Sequence, residues 1–222
     1  LSGEERFPGW REWPPLRAWE DKLTGEGWAL ERVAARDLFA RRDGELLFGM
    51  VEAAGLDPEG KPLLPYVLVR GAACMVVPVA RNRDTGEKRF VMILQRRVGS
   101  GDLSLEFPAG MVDAGESPAA AAARELAEET GLDAKAELVP LWDVGLYSSP
   151  GLSDEHVFFY AAEFELSDAE YRALEGGDSG HADEGEHITT TLKTYAQARA
   201  GLTSEHPLLA LFLYREKFGD VA

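Results

Sequence analysis

The apolar positions of this chain follow two rhythms. From Trp28 to about Arg97 they gather in short β-branched and aliphatic runs broken by turn residues, the pattern of strands. WALERVAARDLF is interrupted at RRDG and ELLFGMVEAAG follows, so Asp43-Gly44 marks a hairpin turn. Asp57-Pro58-Glu59-Gly60 marks another turn, and PYVLVR, AACMVVPVA and RFVMILQRR are further strands, the last two separated by the polar loop NRDTGEK. After the glycine-flanked segment GSGDLSLEFPAG the rhythm becomes helical in an alanine run. Ser117 suits an N-cap, Pro118 a first helical position and Gly131 a C-cap, which predicts a helix over 118–130. Further on, AELVPLWDVGLY, HVFFYAAEF and HITTTLK read as strands, while SDAEYRALE, TYAQARA and HPLLALFLYREKF read as helices, the last amphipathic. GGDSGHADEGEH, residues 176–187, has the composition of disorder. Strands and helices interleave without a regular βαβ rhythm, which disfavours a doubly wound parallel sheet.

The first 28 residues hold four of the five tryptophans (Trp10, Trp13, Trp19 and Trp28) and Pro8, Pro14 and Pro15. They read as an irregular arm that docks by aromatic burial. The organisation expected is an N-terminal arm with antiparallel strands over 1–62, then one α/β domain over 63–222. The 222 residues suffice for one sizeable core plus a small appended element.

Net charge changes what such a chain is expected to bind. With 23 Lys and Arg against 39 Asp and Glu, the charge of −16 repels phosphate backbones, so nucleic acid is not an expected partner. An anionic small substrate would need cations or local arginines to reverse the field. No apolar run reaches the roughly 18 residues of a membrane span, and LSGEERFPGW lacks the features of a secretory signal. The single cysteine, Cys74, lies in an apolar run and reads as a small buried hydrophobe in a reducing cytoplasm.

The candidate chemistry sits on the alanine-rich helix. Glu125 and Glu129 lie four apart on one face with Glu128 beside them, an oxygen-rich group suited to a hard divalent cation. Arg124 is four from Glu128 and placed to pair with it. His156, His181, His187 and His206 show no metal-binding spacing, and neither a GxSxG elbow nor a P-loop is present. Arg70, Arg96 and Arg97 stand at strand ends next to apolar runs, where a guanidinium can hold an anion bidentately.

Read backwards from the helix, Gly110, five residues, Glu116, seven residues and RELAEETGL form GMVDAGESPAAAAARELAEETGL. This stretch resembles the Nudix hydrolase signature at every defined position. EFPAG (106–110), YSSPGLSDE (147–155) and HADEGEH (181–187) are similar to segments of the ADP-ribose and ADP-sugar pyrophosphatase branch. The resemblance implies an α/β/α sandwich with a mixed β-sheet. It implies Mg²⁺ or Mn²⁺ on Glu125, Glu129 and Glu128 with the Ala109 carbonyl, and Gly110, Glu116, Arg124 and Gly131 as structural motif residues. It implies Glu184, Glu186 and Glu128 as catalytic residues, with Glu184 favoured over Glu186 as the base and Glu186 near a metal. Arg70, Arg97, Arg96, Ser149, Pro150, Gly151, Glu155 and Trp28 become candidate substrate contacts. The implied reaction is hydrolysis of a nucleoside diphosphate sugar, ADP-ribose or an ADP-sugar, by a cytoplasmic homodimer. GDP-mannose, UDP-sugars, dinucleoside polyphosphates and oxidised nucleoside triphosphates are the alternative substrates. A non-catalytic nucleotide-sugar sensor is the alternative role.

Overall fold

A computed structural model describes residues 3–133, 138–179 and 187–219. In chain order it contains α1 (Gly3–Arg6), a 3₁₀ turn (Trp10–Glu12), α2 (Pro14–Gly25), β1 (Ala29–Ala40), β2 (Leu46–Leu56) and β3 (Tyr66–Val69). Then come β4 (Ala72–Asn82), β5 (Lys88–Arg96), β6 (Leu103–Glu106), β7 (Ala109–Met111), α3 (Pro118–Thr130), β8 (Val139–Pro140), β9 (Leu146–Tyr147) and β10 (His156–Leu166). The chain closes with α4 (Asp168–Ala173), β11 (Asp178–Ser179), β12 (Ile188–Lys193), α5 (Tyr195–Gly201) and α6 (Glu205–Phe218). It divides into two compact units, Leu1–Ala72 with Leu146–His156, and Ala73–Gly145 with Val157–Ala222.

In the first unit β1, β2 and β3 form an antiparallel sheet in that order. Its core joins Val33 and Leu38 of β1, Val51 of β2 and Val69 of β3 to Trp10 and Leu16. The N-terminal residues are therefore not an irregular arm. Pro14 and Pro15 occupy the first helical positions, where a missing N–H costs nothing, and α2 follows from them. The tryptophans pack into this local core, Trp10 fully and Trp13 and Trp19 partly.

In the second unit the sheet order is β11-β12-β5-β4-β10-β8, with β6 on β5 and β7 on β4. The strand period of two sends alternate residues of β5 to opposite faces. Val91 joins Cys74, Val76, Ala121, Ala122 and Leu126, so α3 lies on that face. Phe90 points the other way, edge-on to Phe107 and to Tyr214 of α6 at ring separations of 5.9 and 5.3 Å. Helices on both faces of a mixed sheet give the α/β/α sandwich expected. On α6, Pro207, Ala210, Leu211 and Tyr214 are buried at helical spacing, while Phe212 faces outward. Among the described residues no helix is long and apolar enough to cross a membrane.

Two local expectations are corrected. Among the described residues AELVPLWDVGLY gives the two-residue strands β8 and β9 in place of one long strand, and Trp142 and Val144 between them face solvent. Asp178 and Ser179, inside the stretch expected to be disordered, pair with Thr189 and Ile188.

Leu126 is fully buried where α3 meets the sheet. Leu126→Ala should cost about 2–5 kcal/mol of stability, read as a lowered midpoint in denaturant unfolding. A loss below about 1 kcal/mol would mean that α3 is not anchored through this residue.

Candidate active site on the acidic helix

The helix ends are set by the residues expected to set them. Ser117 Oγ accepts the Ala120 N–H at 3.2 Å, Pro118 occupies the first turn, and Gly131 takes φ 72°, the left-handed conformation that closes the helix. Alanines make the inner face flat, so α3 lies close to the sheet. Its carboxylates then fall beside β7, whose residues Ala109, Gly110 and Met111 pair with Met75, Cys74 and Ala73 of β4.

Arg124 organises the cluster. Its guanidinium donates to Glu116 Oε2 at 3.0 Å and Oε1 at 3.3 Å, to Glu125 Oε1 at 2.7 Å, to Glu128 Oε2 at 3.3 Å and to the Met111 carbonyl at 3.0 Å. Asp113 stands 3.6 Å away. The hydrogen bond to Glu116, outweighing partial burial and joined by Glu125, pushes the guanidinium far above its ordinary range. The same bond from Arg124 holds the Glu116 carboxyl below its ordinary value. One permanent cation thus keeps Glu116 of the loop and the helix carboxylates Glu125 and Glu128 together.

Glu129 is buried at 6% exposure, and its Oε2 accepts the Ala109 N–H at 3.0 Å. Gly110 is required by the Glu125 carboxylate, which lies where a Cβ would stand. Cys74, fully buried beneath, reaches the Gly110 carbonyl at 3.6 Å. Burial pushes its thiol up to about 12, so it stays protonated.

Glu125, Glu128 and Glu129 supply only oxygen donors on adjacent helical positions, the donor chemistry of a hard divalent cation. Among the described residues no three His, Cys, Asp or Glu side chains stand grouped as a metal cage. Glu125 and Glu128 lean towards Arg124 and Glu129 towards Ala109, so the donors fit such a cation in kind while their present directions serve protein partners.

The remaining candidates fall in both units. In the first, Arg70 follows β3 and its Nη1 pairs with Glu155 Oε2 at 2.7 Å. Ser149, Pro150 and Gly151 form an exposed turn in which Ser149 O accepts the Leu152 and Ser153 N–H groups at 2.9 and 2.8 Å. Asp154 accepts the Arg70 and Gly71 N–H groups at 2.7 and 3.1 Å; its carboxyl is raised by burial against these bonds. Trp28 is half-buried just after α2. In the second unit Arg96 is exposed at the end of β5, and Arg97 makes a two-pronged pair with Glu106. Glu184 and Glu186 lie outside the described residues. Sequence reasoning gave Glu106 and Asp154 no role, although the alternation in LSLE puts Ser104 and Glu106 on one face.

Two outcomes follow. Gly110→Ala should displace the Glu125 carboxylate and weaken binding of Mn²⁺ by about tenfold or more in a titration, with the fold retained; unchanged binding would detach Glu125 from the cation. Glu116 has a depressed folded pKa, so its stabilisation is present above the unfolded value of about 4.3 and lost as pH falls through the folded one. Glu116→Gln should therefore lower Tm at pH 7, and the two proteins' Tm values should converge towards pH 3. A constant gap would show that the charge of Glu116 contributes nothing.

Comparison with known proteins agrees with this geometry. The NUDIX domain family model matches residues 70–205. Nudix hydrolase 14, chloroplastic, of Arabidopsis thaliana is 30% identical over 188 residues, 80% of this chain and 59% of that protein. ADP-ribose pyrophosphatase of Bacillus subtilis (strain 168) is 37% identical over 135 residues, 61% of this chain and 66% of that protein. ADP-sugar pyrophosphatase of Mus musculus is 42% identical over 83 residues, 37% of this chain and 36% of that protein. The chain spans between 38% and 66% of the first curated relatives it matches. A crystal structure titled as that of an ADP compounds hydrolase superposes with TM-score 0.60 at 24% identity, covering 86% of this chain and 93% of that one, a likeness of fold. With the matched span exceeding half of the chain and containing the loop and acidic helix just described, the chain belongs to the NUDIX domain family.

Proposed function

We propose that this chain is a hydrolase that cleaves the pyrophosphate of a nucleoside diphosphate sugar, ADP-ribose or an ADP-sugar, to a nucleoside monophosphate and a sugar phosphate. The observation that carries this reading is the α3 cluster: Glu125 over Gly110 and Glu128 beside it, both tied to Arg124, with buried Glu129 held at Ala109. The names of the relatives, ADP-ribose pyrophosphatase and ADP-sugar pyrophosphatase, support the substrate class.

Glu125, Glu129 and Glu128, with the Ala109 carbonyl, would hold Mg²⁺ or Mn²⁺. Such a cation, when bound, supplies neutralisation of the diphosphate, polarisation of its P–O bonds and a more acidic water. The protein's own groups do the rest. Arg124 stays charged and fixes the helix carboxylates against the loop. Arg70, Arg97 and Arg96 offer guanidinium groups for phosphate oxygens. Ser149, Pro150, Gly151, Glu155 and Trp28 are further substrate contacts in this reading. Glu184, or Glu186, takes the proton of the attacking water as its oxygen bonds to phosphorus, and the bridging P–O bond breaks. The products leave as two phosphate monoesters. The N-terminal residues 1–62 contribute to homodimerisation and base recognition, and the protein acts in the cytoplasm.

The test is a hydrolysis panel with Mg²⁺: ADP-ribose, ADP-glucose, GDP-mannose, UDP-glucose, a dinucleoside polyphosphate and 8-oxo-dGTP. Monophosphate release from ADP-ribose or ADP-glucose is expected, with Glu129→Gln slower by about 10³-fold or more. Preference for another member of the panel would move the substrate assignment. No cleavage, with metal-independent binding of one nucleotide, would make the chain a sensor.

A further inference from the structure

Two arginines of this protein, one in each compact unit, each meet a largely buried carboxylate, Arg97 at two points and Arg70 at one. Arg97 donates from Nε to Glu106 Oε1 at 2.9 Å and from Nη2 to Glu106 Oε2 at 2.8 Å. The guanidinium side is 44% exposed and the carboxylate side only 10%. Burial pushes the Glu106 carboxyl up, but the Arg97 bonds, the Arg97 charge and the Ser104 hydroxyl outweigh it and hold it below its ordinary value. Arg70 meets Glu155 at one point, Nη1 to Oε2 at 2.7 Å with 43% and 16% exposure, while its buried Nε has no hydrogen-bond partner among the described residues; Ser148 Oγ donates to Glu155 Oε1 at 2.9 Å. In both cases a serine hydroxyl braces a sunken carboxylate, and that carboxylate braces an arginine that reaches solvent.

Each brace is tied to neighbouring strand backbone. Glu106 is the cross-strand partner of Ile93, which shares the sheet face of Val91 and hence of α3. Glu155 belongs to a segment bound to β3 through Leu68 N–H to Leu152 O at 2.8 Å and Ser153 Oγ to Leu68 O at 2.9 Å. A long arginine side chain loses much rotamer freedom when it meets an anion. A guanidinium whose plane is already fixed by a two-point or braced contact loses less.

We propose that Glu106 and Glu155 are positioning residues: they preorganise Arg97 and Arg70 to bind phosphate oxygens, and they touch no reacting atom. This rests on the reading of the chain as a nucleotide-sugar hydrolase and deepens it, and it recasts Glu155 from substrate contact to brace.

The experiment measures kcat and KM for ADP-ribose with Mg²⁺ in the full chain. It compares the native protein with Glu106→Gln, Glu155→Gln, Arg97→Lys, Arg97→Ala and the double variant Glu106→Gln/Arg97→Ala, each verified as folded by thermal unfolding. Glu106→Gln and Glu155→Gln should each raise KM about tenfold with kcat changed less, and Arg97→Lys, which keeps the charge but lacks the fork, should match Glu106→Gln. In the Arg97→Ala background, Glu106→Gln should add almost nothing, because its effect passes through the arginine. Native KM in both glutamine variants, or an equal effect of Glu106→Gln with and without Arg97, would overturn the proposal. A native protein that turns over no nucleotide sugar would instead overturn the functional reading on which it stands.

Discussion

Arg124 carries the constraint on which the site depends. Glu116, Glu125 and Glu128 crowd one turn of helix and the loop before it, and without a cation among them their mutual repulsion would spread them apart. A lysine would supply the charge at one point only. The planar guanidinium reaches Glu116 along one edge, Glu125 and Glu128 along another, and the Met111 carbonyl as well. Loop and helix are thereby joined by charge-assisted bonds independent of the apolar packing beneath.

That packing supplies the second half of the arrangement. Ala121, Ala122 and Leu126 are fully buried against Cys74, Val76 and Val91. Alanines let the helix lie near the strands, and Gly110 then leaves space for the Glu125 carboxylate. A larger residue at any of these positions would lift the helix or turn the carboxylate aside, so small side chains at the base and charged ones at the rim are parts of one construction.

The sequence made the acidic helix legible to the residue, because Ser117, Pro118 and Gly131 are local signals that act on their own neighbours. The hairpin of β1 and β2 was legible for the same reason. The N-terminal helices were not: clustered tryptophan and proline obscure helical spacing, and the partner surface that buries Trp10 and Leu16 is built from distant strands. AELVPLWDVGLY looked like one strand by composition, while Trp142 and Val144 face solvent between two short strands. At the site, residue types and spacing identified the carboxylates and Arg124. The pairings of Arg97 with Glu106 and of Arg70 with Glu155 join residues 9 and 85 positions apart, and only the fold brings them together. What motif spacing conveys is identity along the chain; what it omits is which charge has already been answered by another.

The distribution of indole rings gives the protein an uneven optical signature. Trp10, Trp13, Trp19 and Trp28 belong to the first compact unit, whereas Trp142 alone belongs to the second and is exposed. Ultraviolet emission is consequently dominated by one unit, and the burial of Trp10 sets a fluorophore whose environment changes when that local core opens. The unit that carries the acidic helix contributes one solvent-facing indole, Trp142, so a change in emission reports mainly on the loosening of the first unit.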